Sequence, residues 1–196
     1  MKKIGITGGI GSGKTTVCKI FESLDIPVYY ADIEAKRIIS RNALVKKQIK
    51  DLIGEGAFHK NGLPNRKYIA SKIFTDKKLL QKINEIVHPA VQADTERWTE
   101  QIKATSQVPY VLKEAALLVE NGSFKAFDAL IVVTCPEDIR IKRVMTRDKS
   151  SYEAVRKKAS SQWPESEKVR VADFIINNDG NTALIPQVWE IHQKLI

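Results

Sequence analysis

The chain has 196 residues, 43% of them hydrophobic, and a formal net charge of +9 at pH 7. This length and composition suit one compact domain with a small insertion and exclude wholesale disorder. No apolar run approaches the roughly 20 residues that cross a bilayer, and no signal-peptide pattern is present, so we expect a soluble, cytoplasmic protein. The charge favours an acidic partner, either a polyphosphate metabolite or nucleic acid, although a solvated basic surface gives the same total.

The first half of the chain begins as an α/β protein and then becomes helical. Residues 3–7 form a short β-rich run, residues 14–24 carry apolar groups at helical spacing, and residues 26–30 are typical of a second strand. From residue 32 to about residue 103 the pattern is almost wholly helical, with a Gly- and Asn-containing loop at 54–65. This block is too long for a crossover helix and predicts a helical insertion.

The second half returns to alternating strands and helices. Strands are predicted at 108–113, 129–134 and 174–177, and helices at 137–147 and 183–195. Such alternation predicts an α/β fold with a five-stranded parallel sheet between two helical layers.

Residues 148–170 interrupt this alternation. They are polar and strongly charged, with helical fragments and few core anchors. That composition is typical of a mobile segment over a site.

The two cysteines, Cys18 and Cys135, lie far apart in helix-like and strand-like stretches. Their number and spacing do not match a zinc site or a disulfide framework. We expect both to be reduced packing residues.

Residues 8–15, Gly-Gly-Ile-Gly-Ser-Gly-Lys-Thr, match G-x-x-x-x-G-K-[ST] at every fixed position. Glycines let the backbone wrap a phosphate chain, and the helix that follows adds its positive N-terminal end. Lys14 can reach the β- and γ-phosphates, and the Thr15 hydroxyl can ligate Mg²⁺. With a strand before it and a helix after it, the motif predicts a P-loop for MgATP. The residues expected along the nucleotide are Gly9, Ile10, Gly11, Ser12, Gly13, Lys14, Thr15 and Thr16.

A P-loop leaves the reaction open, and other motifs narrow it. The N-K-x-D sequence with which GTPases read their base does not occur, and the D-x-x-G match at residues 51–54 ends a helical stretch instead of following a strand. A motor or helicase would need a longer chain. A small-substrate kinase fits best.

Three further side chains have both a functional and a structural interpretation. Asp32 directly follows the second strand, where a carboxylate could orient or deprotonate an acceptor hydroxyl, but it could equally cap the next helix. Arg143 and Arg147 share a helical face, as in a phosphate clamp or a solvated surface. His88, before Pro89 at the predicted end of an apolar helix, is more typical of a packed or capping residue than of a substrate ligand.

Taken in order, these residues closely resemble the dephospho-coenzyme A kinase family over nearly the whole chain. The P-loop alone is shared by many families, but the ordered series is specific. Its markers are residues 4–14, Ala31-Asp32, Asn65-Arg66, Ile73-Phe74, His88-Pro89, Leu117-Leu118-Val119-Glu120, Arg143, Arg147, Gln162 and residues 172–178.

The resemblance implies phosphorylation of the ribose 3′-hydroxyl of dephospho-coenzyme A by MgATP, the last step of coenzyme A biosynthesis. It also implies a P-loop NTPase core at residues 1–31 and 106–196, a helical coenzyme A-binding insertion at 32–105 and a lid at 148–170. The expected partners are the small-molecule substrates ATP and dephospho-coenzyme A, with no nucleic acid and no membrane. The protein itself is expected to be a monomer.

The family also implies roles for individual residues. Asp32 becomes the general base, Lys14 and Arg147 stabilise the transferring charge, Arg143 stacks near the adenine and Asn178 contacts the ATP base. The residues implied along the acceptor's path, in addition to Asp32, are Lys36, Arg66, His88, Leu117 and Glu120.

Three positions depart from the family pattern. Lys36 stands where Arg or His is usual, with Arg37 beside it, and Lys lacks the bidentate fork of Arg. Glu114-Ala115-Ala116 replaces the usual Asp-x-Pro, leaving a carboxylate that could help hold Mg²⁺ through water. The lid sequence around Trp163-Pro164 is individual.

Two other functions stay compatible with parts of the sequence. One is a kinase for a nucleoside monophosphate or another small metabolite, which would share the P-loop core. The other is a basic, nucleic-acid-binding ATPase, which the net charge favours. The lack of interleaved aromatic and basic residues speaks against the second.

Overall fold

The computed structural model describes residues 1–73 and 76–196. Phe74, one of the family markers, lies outside the described residues. The chain forms two compact units, one made of Met1–Tyr30 with Thr105–Ile196 and the other of Ala31–Ala104. The first is called the core unit below, and the second the helical unit.

The core unit is built on a sheet of five parallel strands in the order β2-β3-β1-β4-β5, which confirms the predicted sheet. The strands are β1 Lys2–Gly8, β2 Val28–Tyr30, β3 Tyr110–Glu114, β4 Ala129–Thr134 and β5 Phe174–Asn177. In register, Lys2 pairs with Tyr110 of β3 and Ile4 with Ala129 of β4. The central strand therefore carries its carboxyl end, where the P-loop begins, to the middle of one sheet edge.

Helices are present at the predicted 14–24, 137–147 and 183–195 with small differences at their ends, and the predicted helical block contains several separate helices. The helices described in the two units are α1 Lys14–Glu22, α2 Ala31–Arg41, α3 Ala43–Ile53, α4 Arg66–Ile73, α5 Lys77–Thr105, α6 Glu137–Asp148, α7 Tyr152–Ala159, α8 Glu165–Val169 and α9 Leu184–Leu195. Over the described residues, no helix combines the length and apolarity needed to cross a membrane.

Both faces of the sheet are buried, as expected of parallel strands covered on two sides. On β4, Ile131 and Val133 point into a core shared with α1 and α9, while Leu130 and Val132 point to the opposite face. That second face is covered by side chains after β3, together with Val169 of α8. Alternate residues of one strand thus belong to the two cores of a three-layer α/β/α unit.

In the helical unit, α3 shows the pattern of a packed amphipathic helix. Val45, Ile49 and Ile53 recur every four residues and are all buried. The helix starts at a cap, because the backbone N–H of Val45 donates to Oδ1 of Asn42 at 3.1 Å. Sequence period and cap chemistry agree here on where the helix lies.

The interpretation that His88 and Pro89 end a helix is wrong. Helix α5 continues through Pro89 as far as Thr105. An interior proline removes one helical hydrogen bond and costs roughly 3 kcal/mol. Val87 and Val91, on either side of it, are both buried, so packing on both turns holds the helix together across the proline.

Candidate active site

The P-loop connects β1 to α1 by a tight turn. The Ser12 N–H donates to the Gly9 carbonyl at 3.1 Å, and the first turn of α1 starts with Thr16 N–H donating to Gly13 O at 3.0 Å. Gly11 and Gly13 have φ values of 78° and 92°, in the left-handed region that favours glycine. The glycine spacing of the motif is therefore a backbone requirement.

Gly11→Ala tests this requirement. A Cβ at Gly11 would lie 2.5 Å from the backbone oxygen of Arg140, which no side-chain rotation can relieve. We expect a loss on the order of 2–4 kcal/mol in the free energy of unfolding, from left-handed strain plus the collision. Gly122→Ala is the matched control, because Gly122 has a φ of 72° but nothing within 4 Å of its Cβ position. It should lose only about 1–2 kcal/mol. Denaturant unfolding measures both, and equal losses would show that the close approach to Arg140 does not matter.

Lys14 folds back over the phosphate loop. Its Nζ donates to Gly8 O at 3.0 Å and to Gly9 O at 3.4 Å, and lies 4.0 Å from Oε1 of Glu114. Glu114 is the last residue of β3 and is buried. The residue that replaces the family's usual aspartate therefore keeps a carboxylate at the sheet edge, beside the P-loop lysine.

Arg143 and Asn178 are brought together against the P-loop. Arg143 donates from Nη1 to Asn178 O at 3.2 Å and from Nη2 to Asn178 Oδ1 at 3.4 Å. Asn178 in turn donates from Nδ2 to the Ser12 carbonyl at 2.7 Å. Two residues predicted to lie beside the adenine thus form a hydrogen-bonded chain onto the loop, although 35 positions separate them in sequence.

Arg147 has different contacts from Arg143. Its Nε and Nη2 donate to the two carboxylate oxygens of Asp148 at 2.7 and 3.1 Å, and its side chain is 65% exposed. These hydrogen bonds raise the pKa of Arg147 and lower the pKa of Asp148. Arg147 is thus a charged group held at the surface, at the point where α6 ends.

Arg140 was not singled out from the sequence. Its Nε donates to Cys135 O at 2.9 Å, and its guanidinium lies so close to Gly9 that a Cβ there would collide with Nη1. The available signal was its position three residues before Arg143, which places the two on neighbouring turns of one helix.

Leu117 and Glu120 lie in the segment after β3. Leu117 is exposed, whereas Glu120 Oε1 accepts hydrogen bonds from Lys168 Nζ at 2.6 Å and from Trp163 N–H at 3.1 Å. Another link joins this region to the P-loop, because Ile10 N–H donates to Gln162 Oε1 at 2.7 Å. Residues 148–170 were predicted to have few core anchors, but Val155 and Lys168 within them are fully buried.

Asp32 lies in the first turn of α2. The helix begins at Ala31, so the structure does not place Asp32 at the cap position before the helix. Lys36 follows four residues later, on the same face, and both side chains are exposed. Arg37 pairs with Glu34, with Nη1 lying 3.4 Å from Oε2. Lys36 is therefore the cation that lies on the same helical face as Asp32.

Arg66 and His88 are also exposed residues of the helical unit. Arg66 begins α4, whose start is capped by Asn65 Oδ1 accepting from Tyr68 N–H at 3.2 Å. His88 lies in the middle of α5. The solvent exposure of His88 argues against the interpretation of a packed histidine.

Cys18 and Cys135 are both buried free thiols, as predicted. Burial raises the pKa of each thiol, so the reactive thiolate form is disfavoured. Both act as packing residues.

Comparisons with known proteins identify the family of this chain. The family model for dephospho-CoA kinase matches residues 2–183. A dephospho-CoA kinase from Salinibacter ruber is 39% identical, covering 92% of this chain and 90% of the relative. One from Bacteroides fragilis is 34% identical, covering 96% and 90%.

Solved structures are also similar to this chain over nearly its full length. A protein from Thermus thermophilus superposes with a TM-score of 0.84 at 30% identity, covering 100% of this chain and 98% of that one. Dephospho-CoA kinase from Campylobacter jejuni gives 0.72 at 27% identity, covering 98% and 96%. Shikimate kinase from Acinetobacter baumannii, at 0.56 and 17% identity over 99% and 92%, shares the fold alone. On the family match and these full-length likenesses, this chain belongs to the dephospho-CoA kinase family.

Proposed function

We propose that this chain transfers the γ-phosphate of ATP to the ribose 3′-hydroxyl of dephospho-CoA, giving CoA and ADP in the last step of CoA biosynthesis. One observation carries the proposal: a complete P-loop at the carboxyl end of the central strand, in a chain that belongs to the dephospho-CoA kinase family. We further propose that the protein acts as a monomer in the cytoplasm.

The nucleotide phosphates would lie in the loop of residues 9–16, with Lys14 beside the β- and γ-phosphates. Arg143 and Asn178 would meet the adenine end of ATP. Their support is the hydrogen-bonded chain from Arg143 through Asn178 to Ser12 O, which fixes both side chains relative to the loop. Arg147, fully charged and exposed, would neutralise charge on the transferring group.

Mg²⁺ fits the oxygen donors of this site. A nucleotide-bound Mg²⁺ needs only one or two protein oxygens, because substrate phosphates and water supply the others. Thr15 offers an exposed hydroxyl in the first turn of α1, and Glu114 offers a buried carboxylate next to Lys14. We propose Thr15 as the direct ligand, with Glu114 helping through water. The ion would offset phosphate charge during transfer.

Asp32 would take the proton of the acceptor hydroxyl as the hydroxyl oxygen attacks the γ-phosphorus. The bond between the γ-phosphorus and the bridging oxygen would break, and that oxygen would leave with ADP. Asp32 is exposed and lies two residues beyond the carboxyl end of β2. The residues proposed along the acceptor are Lys36, Arg66, His88, Leu117 and Glu120. Four of these five side chains are exposed, and four of the five carry or can gain a charge suited to a polar substrate.

We also propose that the helical unit, residues 32–105 in outline, binds the coenzyme portion of the acceptor. Residues 148–170 would form the lid that excludes water during transfer. Supporting this, α7 is anchored to α6 by Val155, which packs with Ile141 and Val144, so the segment has a fixed attachment beside the arginines.

A coupled ADP-release assay with MgATP tests the proposal. The acceptors are dephospho-CoA, AMP, CMP, shikimate and single-stranded DNA, and mass spectrometry identifies the phosphorylated position. We expect turnover with dephospho-CoA alone and a 3′-phosphate in the product. Turnover with AMP, CMP or shikimate, and none with dephospho-CoA, would show a kinase with a different acceptor. Stimulation of ADP release by DNA would favour a nucleic-acid-dependent ATPase.

A further inference from the structure

Residues Gln162–Lys168, called the strap here, are attached to the carboxyl edge of the sheet at three places. Gln162 Oε1 accepts from Ile10 N–H of the P-loop at 2.7 Å. Glu165 Oε2 accepts from Cys135 N–H, just beyond β4, at 3.1 Å. Trp163 N–H donates to Glu120 Oε1, in the segment after β3, at 3.1 Å. The strap therefore touches the segments that follow three adjacent strands.

Lys168 anchors the strap from inside. Its residue exposure is 0%, and its Nζ lies 2.6 Å from Glu120 Oε1 and 3.4 Å from Ala116 O. A buried ammonium is retained only with a close counter-charge, because its desolvation is otherwise uncompensated. Lys168 and Glu120 thus fix each other, and with them the distance between the strap and the segment after β3.

Glu120 holds the strap through one of its two carboxylate oxygens. Lys168 and the Trp163 N–H both use Oε1, while Oε2 is buried with no hydrogen-bond partner among the described residues. A buried carboxylate oxygen without a donor costs free energy. Both contacts of Glu120 with the strap are made through Oε1.

We propose that Lys168 is a positioning residue for the ATP site. Through Glu120 it holds the strap, and the strap holds the phosphate loop through Gln162 and the Ile10 N–H. Lys168 itself touches neither substrate. The inference rests on the proposed function for its kinetic consequences, but the ATP affinity it predicts can be measured without any acceptor.

The test uses the full chain with Lys168→Met, Lys168→Arg and Gln162→Leu. Arg170→Met is the matched control, because Arg170 lies two residues from Lys168 but is an exposed cation paired with Glu167 at the surface. Calorimetry measures the Kd of a non-hydrolysable ATP analogue with Mg²⁺. Steady-state assays measure KM for ATP and for dephospho-CoA separately.

We expect Lys168→Met and Gln162→Leu to raise the Kd and the KM for ATP by about five- to tenfold, the effect of losing one positioned hydrogen bond. In Gln162→Leu, KM for dephospho-CoA should change by less than about twofold. Lys168→Met also removes the counter-charge of Glu120, a residue proposed along the acceptor, so the ATP affinity alone judges that variant. Lys168→Arg should restore most of the ATP affinity, and Arg170→Met should match the parent chain. A merely structural role for Lys168 would lower the melting temperature without raising the Kd of the folded protein for the ATP analogue.

If Lys168→Met does not fold, Gln162→Leu alone tests the role of the strap. Gln162 is uncharged, so its replacement does not leave a buried charge without a partner. A folded Gln162→Leu with the parent Kd for the analogue would overturn the proposal. So would weak ATP binding in Lys168→Met with normal binding in Gln162→Leu. If the parent chain binds the analogue but does not phosphorylate dephospho-CoA, the proposed function fails, and the Kd comparison still judges the strap.

Discussion

Asp32→Asn is expected to lower kcat by about 10²- to 10⁴-fold, the range that a positioned general base contributes. Asn has nearly the shape of Asp but cannot take the proton from the attacking hydroxyl. Because Asp32 lies on α2 and not in the P-loop, the Kd of MgATP should stay within about twofold of the parent value. Pre-steady-state and steady-state turnover with dephospho-CoA, together with calorimetry for ATP, measure the two effects.

Glu34→Gln is the control for Asp32→Asn. Glu34 is a carboxylate in the same first turn of α2, but its partner is Arg37 at the surface. Its replacement should leave kcat unchanged, because an exposed pair of this kind contributes little. Normal turnover in Asp32→Asn would show that Asp32 is not the general base. An equal loss of kcat in both variants would indicate a general effect of negative charge at the start of α2.

Lys14→Met is expected to lower kcat/KM for ATP by about 10²- to 10³-fold, as the loss of one preorganised charge-stabilising donor does. The same change removes the cation next to buried Glu114 and the two hydrogen bonds to Gly8 O and Gly9 O. We therefore also expect the free energy of unfolding to fall by about 1–3 kcal/mol. Kinetics at saturating dephospho-CoA and denaturant unfolding report the two losses separately.

Two variants separate chemistry from stability at Lys14. Lys19→Met removes an exposed lysine from the same helix and should change neither quantity. Adding Glu114→Gln to Lys14→Met removes the buried carboxylate charge and should recover stability without recovering kcat/KM. If the double variant regains activity together with stability, Lys14 supports the loop but does not act on the phosphates.

The sequence predicted the strands of the sheet well because each strand is marked locally. The apolar runs around Ile4, Leu112 and Ile131 are short and bounded by Gly, Pro or charged residues, and all of them became strands. The order β2-β3-β1-β4-β5 could not be predicted in the same way, since it depends on which buried faces pack together. The break predicted at Pro89 failed for a related reason: local propensity favoured a helix end, but the burial of Val87 and Val91 outweighed it.

The candidate site shows the same contrast between local features, which the sequence predicts, and contacts between distant segments, which it does not. The P-loop is contiguous, so its spacing predicts its conformation, including the positive φ of Gly11 and Gly13. Lys168 gave no signal, because lysines are almost never fully buried and its partner Glu120 is 48 residues away. Gln162 was noticed only as a family marker, and its contact with Ile10 spans 152 positions. Hydrogen bonds between distant segments leave no periodic trace in a single sequence.

The register of the central strand also bears on how the chain reaches its native state. Lys2 of β1 pairs with Tyr110, so β1 is synthesised more than a hundred residues before the first strand that pairs with it. Closing so long a loop is entropically unfavourable, and sheets built from distant strands form slowly. The intervening helices, with their short-range contacts, are expected to form first. We therefore expect the phosphate loop to reach its native conformation only after β3 and β4 have been synthesised, which makes nucleotide binding a late step in folding.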